Sequence, residues 1–600
     1  MSIPGELERT RHLVFAADET GAKDLLLSLL PRIERADRDD QMLEAVAQLG
    51  EIYLVRGAND GVAESVRRID ECLARYSALL AGGAPTAVAD AGGAPTAVAD
   101  AGGAPTAATP TAMSAAETAN MICRYSRRAR FLQTGLAAAC GDHEGAQTAL
   151  ATLVKGRSDA AFPDLADEHR YLILYAEILC AVALCDDDLQ LQAVPLWERV
   201  TQALEDLAAA GDGGEFADYL RVVAGTAQGR FCVETGRLTE GEAMLRRAGA
   251  RAQARGWELA TARTQLERAA ASWSRRDHVT TDRLVSAAYP VIARYARAHD
   301  VSRCWLYFGL TRMGRGALEE ADQCWEHAER HWRELGKPLH VHRILLQRSW
   351  IAIFRGRFAA AVELVAEARD WLDSAPRSSW LQYARLDDHL GTIWRADALA
   401  DLGFDGAGDP SDSWREAEAR SAAALGIIDA EAGSPQYRSA MAKLEQAADL
   451  KVPAALAVDS VRYSIADADA RLRWATFVSA RILAGAFAVA WEWENTELIS
   501  ELIEYHSARG TFSTDPRPQG AGEWAVTATA EVPVDSGVEL AEVAAGSPSR
   551  GGSALRRLGP LPPLRMEPDT VPIMSRYRLL AFERYGREVT AGEAAWSTWP

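Results

Sequence analysis

Lysine is scarce in this chain. The 600 residues hold five (Lys23, Lys155, Lys337, Lys443, Lys451), so nearly all positive charge is arginine. Positive charge is also in deficit, with 65 Lys and Arg against 84 Asp and Glu and a net charge of −19. That balance argues against nucleic acid and anionic membrane as partners, since both require a broad basic surface. No apolar run reaches the roughly 18 residues of a membrane helix: Tyr171 to Cys185 is interrupted by Glu177, and Ile482 to Trp491 is shorter. The opening MSIPGELERTRH has charges of both signs and no apolar signal core, so a cytoplasmic location is expected. Arginine in place of lysine, together with abundant alanine, reads as a GC-rich bacterial genome.

Cysteine is sparse too. The eight cysteines form no CxxC pair and none follows Cys324, which predicts reduced thiols on helices instead of a disulfide framework. Glycine and proline gather in a few segments and do not recur every ten residues, so an all-β protein is excluded and helix is the expected state.

Catalytic signatures are missing as well. The one Gly-Lys dipeptide, Gly336-Lys337, is followed by Pro338 and makes no phosphate-binding loop. The string GSPSRGG at 546–552 lacks the spacing of a nucleophile elbow. Cys324, His327 and His331 share one helix face, but the segment reads HAERH, not HExxH, and a packed helix face accounts for them without metal. Acidic pairs such as Asp387–Asp388 are expected among 84 acidic residues and carry no catalytic signal. No enzyme, metal or cofactor is expected.

What is present is a repeat. The decapeptide AGGAPTAVAD occurs at 81–90 and 91–100 and continues in altered form to Pro110. Segments this small and polar cannot offset chain entropy, so 81–112 reads as a low-complexity linker after N-terminal helical hairpins at 1–80. From 113 to 510 amphipathic helices alternate with short breaks. The clearest copy is CWLYFGLTRMGRGALEEADQCWEHAERHWRELGKP, with Gly309, turn Gly316, Ala321, Trp325, Ala328 and Pro338. Gly229, Gly236, Gly241 and Leu245 precede it in step, and Ser349, Gly356, Ala361, Val365 and Ala368 follow. Turn positions 236, 316 and 356, with Arg276 at the missing midpoint, set a period of 40 residues. Diverged copies are expected near Gly57, Gly141, Asp186 and Gly403, the last with an insertion at 404–413, and a final pair over roughly 455–509. Residues 511–573 are rich in Pro, Gly, Ser and Thr and read as a flexible segment with a β-prone fragment at 523–534. A short helix from Met574 to Tyr585 and a tail ending in WSTWP complete the chain.

This pattern of small, turn and apolar positions resembles the tetratricopeptide family over about 113–430, most strongly at 225–376. The spacing departs from that family's, which is about 34 residues. The resemblance implies an all-α fold, a right-handed superhelix of antiparallel helical hairpins (a TPR-like α-solenoid). It further implies that first helices line a concave groove, with positions thirteen before each turn residue pointing inward. Those positions are Arg263, Arg303 and Arg343, 40 apart, and the same register puts Trp273 and Trp350 nearby. Guanidinium forks suit carboxylates and phosphates, and flat rings suit apolar side chains, so a protein or peptide partner, an acidic one above all, is expected. The alternative is that the arginines are salt-bridged to neighbouring helices and the tryptophans are core. The segment ending in LISELIEYHSARGTF also resembles the repeat regions of actinobacterial proteins that accompany CHAT-type proteases, over about 440–512. The expected function is a non-catalytic interaction scaffold; a ligand-responsive regulator acting on a partner, a CHAT-type protease for example, is the alternative. Oligomeric state is not set by the sequence.

Overall fold

The computed structural model describes residues 2–81, 113–156, 161–187, 189–209, 213–375, 378–403, 431–464, 474–508 and 573–589. These residues are all-α: twenty-one α-helices and no strand among them. The expectations for residues 82–112, for the insertion at 404–413, for the segment 511–572 and for WSTWP lie outside the described residues.

The helices keep a strict step. Seven successive ones begin at Leu238, Glu258, His278, Ala298, Leu318, Pro338 and Phe358, twenty residues apart, and run 16 or 17 residues each. Their breaks hold a left-handed residue at Gly236, Gly256, Arg276, Ala296, Gly316, Gly336 and Gly356, again every twenty residues. The same step occurs at Ala17, Asp37 and Gly57. A residue at positive φ stops the helix and reverses the chain in the fewest residues, which suits glycine and strains any side chain. The 40-residue period is thus two helices of about 17 residues and two short reversals, so longer helices and not longer linkers carry the excess over a tetratricopeptide.

The chain packs as two compact units. One comprises Met1–Asp186, Gln192–Ala227 and Ala250–Leu259; the other comprises Asp187–Leu191, Gln228–Gly249 and Ala260–Pro600. In the first unit, the helices from Ile3–Phe15 to Ala166–Asp186 pack in chain order. Leu7, Ala22, Leu26, Leu29, Ile33, Ala45 and Ile52 form the core at its N-terminal end.

In the second unit the small-to-large pairing seen in the sequence is physical contact. A Cβ on Gly309 would lie 2.1 Å from Nε1 of the fully buried Trp325, whose indole donates to the Leu306 carbonyl at 3.1 Å. Two repeats earlier, a Cβ on Gly229 would meet Leu245 at 2.6 Å. Acids at 242, 282 and 322, 40 apart, accept from an arginine of the following helix: Arg268 to Glu242 at 3.0 Å, Arg312 to Asp282 at 3.1 Å and Arg348 to Asp322 at 2.8 Å. Apolar interdigitation inside and ion pairs outside repeat together.

After residue 375 the step lengthens. Helix Trp380–Asp401 runs 22 residues, so its reversal falls at Gly403 instead of 396. Helix Pro435–Ser460 is buried on all sides from Lys451 to Ser460, and the last hairpin is Ala480–Glu492 with Thr496–Ala508. The pair expected over 455–509 therefore begins later, because 455–460 is the end of a core helix. Helix Ser575–Tyr585 then returns to this core. Its Tyr577, Ala581 and Tyr585 are buried, and the Tyr585 hydroxyl donates to Asp387 at 2.7 Å.

The reversals give a test. A Cβ at Gly336 would meet nothing within 4 Å, so Gly336→Ala isolates the strain of positive φ and is expected to cost about 1–2 kcal/mol. Ala296, already at φ 52, should respond in the opposite sense: Ala296→Gly raises stability by about 0.5–1 kcal/mol. Urea midpoints at constant m-value check both signs.

Candidate functional site

Arg263, Arg303 and Arg343 lie on helices Glu258–Ser274, Ala298–Met313 and Pro338–Phe354 of the second unit. Arg263 donates through Nε to Asp300 at 2.7 Å. Arg303 grips Glu267 with both terminal nitrogens, the Nη2 arm at 2.7 Å. The two pairs cross the same helix junction in opposite senses, one reaching forward and the other back. They differ in access: the side chain of Arg263 is 41% exposed, those of Arg303 and Glu267 only 12% and 7%.

The electrostatics follow from that packing. Burial pushes the Asp300 carboxyl up, but Arg263, His299 and Arg303 outweigh it and hold the group below its usual range. Burial disfavours a charged Arg303, and Glu267 more than compensates, so its guanidinium holds its proton even more firmly than usual. At the next junction the His299 and His340 rings meet at 5.0 Å, and His340 also stacks on Trp332 at 5.1 Å. Burial and the positive neighbours His299, Arg343, Arg230 and Lys337 drive the His340 pKa well below that of a free imidazole. Arg343, one turn from His340 on the same helix, is partly exposed.

The two tryptophans lie further along the same first helices. Trp273 is partly exposed and packs on His278, the first residue of the following helix, at 4.7 Å. Trp350, also partly exposed, stacks on Phe354 at 5.9 Å and meets His389 edge-on at 4.8 Å. His389 is buried, with Nε2 2.6 Å from the Ser349 hydroxyl. Burial, with help from Lys451 and His342, pushes its pKa down to about 3.

Arg263 and Arg303 thus flank Asp300, Arg343 stands beside His340, and Trp350 rests on His389; Trp273 belongs to the closed end of its own hairpin. Sequence reasoning missed Glu267, His299, Asp300 and His389. A signal for two of them exists. Asp300 lies 37 residues after Arg263, and Glu267 lies 36 before Arg303, which is one repeat less one helical turn. A search for opposite charge at that offset would have found both. Cys324, His327 and His331 do not converge: Cys324 is buried and His327 stacks on Trp305 at 4.8 Å. Among the described residues no group of three or more His, Cys, Asp or Glu could hold a metal ion, and no helix is long and apolar enough to cross a membrane. None of the eight cysteines is in a disulfide. No protein-family model matches the chain, and no curated protein is significantly similar to it.

Two outcomes are expected. Arg303→Ala strands the buried Glu267 and costs about 3–5 kcal/mol, recovered in large part by adding Glu267→Gln. Arg263→Ala removes a guanidinium that is already 41% exposed and leaves Asp300 the nearby charge of Arg303, so it costs less than Arg303→Ala. Denaturant titration of the three variants checks the contrast. The His389 prediction concerns pH. Its folded-state pKa lies below the unfolded value of about 6.5, so the unfolded chain binds the proton first. Stability is therefore lost as pH falls from about 6.5 toward 3. His389→Asn should flatten the fall of the urea midpoint between pH 6.5 and 4 relative to the parent chain, and an unchanged slope contradicts the assignment.

Proposed function

We propose that the chain is a non-catalytic, tetratricopeptide-like interaction scaffold that takes an acidic peptide or protein segment along the inner helices of its second unit. The observation that carries this reading is the row of Arg263, Arg303 and Arg343 on three successive first helices, with Trp350 alongside. The two end arginines and the tryptophan keep partial exposure, so an incoming carboxylate and an apolar side chain could both be met. Arg303 takes a different role. Its fork is closed by Glu267, and its charge helps to hold Asp300 ionised at the Arg263 junction. In this reading Arg303 and Glu267 position the wall, while Arg263, Arg343 and Trp350 touch the partner.

An acidic partner suits planar guanidinium heads better than ammonium groups, because two parallel hydrogen bonds fix orientation as well as charge. The likeness of the 440–512 region to repeats that accompany CHAT-type proteases extends the proposal: a bacterial, cytoplasmic regulatory partner of that kind is the first candidate to test.

The experiment is affinity purification from native lysate with tagged parent chain and tagged Arg263→Ala/Arg343→Ala, read by quantitative mass spectrometry and repeated with the purified partner. Recovery of the specific partner should fall at least tenfold in the variant while its helix content stays unchanged. Equal recovery rejects the inner row as the binding surface.

A further inference from the structure

The first unit carries a second row that the arginine reading does not use. Phe131, Tyr175 and Tyr219 lie 44 residues apart on three successive first helices, Ala115–Ala139, Ala166–Asp186 and Glu215–Glu234. Their rings meet in sequence, Phe131 to Tyr175 at 5.3 Å and Tyr175 to Tyr219 at 6.1 Å, with the two tyrosine hydroxyls 3.4 Å apart. Tyr171 packs edge-on against Phe216 at 5.1 Å, and Tyr219 against Trp257 at 5.9 Å. Phe131 and Trp257 are buried and close the ends. Tyr171, Tyr175, Phe216 and Tyr219 between them keep accessible surface. Aromatic surfaces lined up this way, with polar hydroxyls at hand, are what binding anchors use.

One end of the row is occupied by the chain itself. Phe15, the last residue of helix Ile3–Phe15, sits 5.7 Å from Phe216, 4.8 Å from Tyr219 and 6.3 Å from Trp257, although it lies some 200 residues away in sequence. One turn before it, His12 Nδ1 meets the carboxylate of Glu215. These two side chains are separable from the rest of the helix. Its buried residues, Leu7 and Thr10, and its Glu6–Arg32 and Arg11–Glu44 pairs tie it to helices Glu19–Arg35 and Asp39–Arg56. Releasing the last turn therefore frees the row and leaves the helix seated. Both His12 and Glu215 keep solvent access, so their contact contributes little to holding the last turn in place.

We propose that this aromatic row is a docking site for a partner helix that presents an aromatic side chain with a basic residue one turn before it, and that His12 and Phe15 occupy it as an internal stand-in. The chemistry is set by what is seated there: an aromatic ring on Phe216, Tyr219 and Trp257, and a cationic or cation-capable group on Glu215. A tethered stand-in competes at a high effective concentration, on the order of millimolar, so only a partner with more contacts along Tyr175 and Tyr171 displaces it. The surface is separate from the arginine row and does not rest on it.

The test uses the full chain and a fluorescein-labelled synthetic peptide of residues 2–17 as probe, read by anisotropy. His12→Ala/Phe15→Ala should bind the probe at least tenfold more tightly than the parent chain, and adding Tyr219→Ala should abolish that gain. Equal affinity of parent and double variant, or a gain that survives Tyr219→Ala, overturns the proposal. If the double variant loses helix content, the helix-favouring pair His12→Gln/Phe15→Gln replaces it in the same titration, and affinity for the probe equal to that of the parent chain overturns the proposal.

Discussion

A helix that must bury the same stripe against its neighbour in every repeat cannot vary freely in length. Each added residue turns the stripe by about 100°. Between residues 238 and 374 this constraint is met by repeating one unit of length: 16 or 17 helical residues, then a reversal through a left-handed residue, twenty in all. Because the step is constant, Gly309 comes to face Trp325, and Gly229 Leu245, at equal places in their hairpins. The acids at 242, 282 and 322 meet the arginines of following helices for the same reason. Where the step is relaxed, at Trp380–Asp401 and Pro435–Ser460, the packing changes to a longer central helix with others around it.

The same register decides how charge is handled between helices Glu258–Ser274 and Ala298–Met313. Arg303 and Glu267 are both nearly inaccessible, and two opposite charges in that setting persist because each satisfies the other with good geometry. Such a pair adds little net stability, but removing either member is costly, so it fixes which helices lie together. Arg263, half in solvent, is bound by a looser contract with Asp300 and is the member whose hydrogen bonds can be exchanged. Partner recognition in this account falls on the groups that packing has left accessible, next to groups that packing has locked.

Much of this was readable from residues. The 40-residue period followed from Gly236, Gly316 and Gly356, because glycine at a chain reversal leaves a visible mark. The twenty-residue half-step, marked by Gly256, Ala296 and Gly336, was not drawn from the sequence; Ala296 interrupts it, and a strained side chain at positive φ has no signature in sequence. Positions 263, 303 and 343 were singled out by counting from the turns. Their carboxylate partners were not, since Asp300 and Glu267 sit a helical turn away from the repeat register. His389 was invisible for another reason. It fills the place that Gly309 and Ser349 hold in the preceding repeats, and only the neighbouring Ser349 hydroxyl and the Trp350 ring show why an imidazole fits there. The contact of Phe15 with Tyr219 joins residues about 200 positions apart and follows from no local pattern.

The constant step is the claim on which the rest hangs, and comparing two full-length derivatives by urea unfolding tests it most directly. One lacks residues 298–337, a whole repeat removed in register; the other carries a single extra alanine after Leu306, inside helix Ala298–Met313. The account expects the forty-residue deletion to keep one cooperative transition with helix content reduced in proportion, and the one-residue insertion to lower the midpoint further than the deletion does. An insertion chain as stable as the parent, beside a deletion chain that fails to fold, would contradict it.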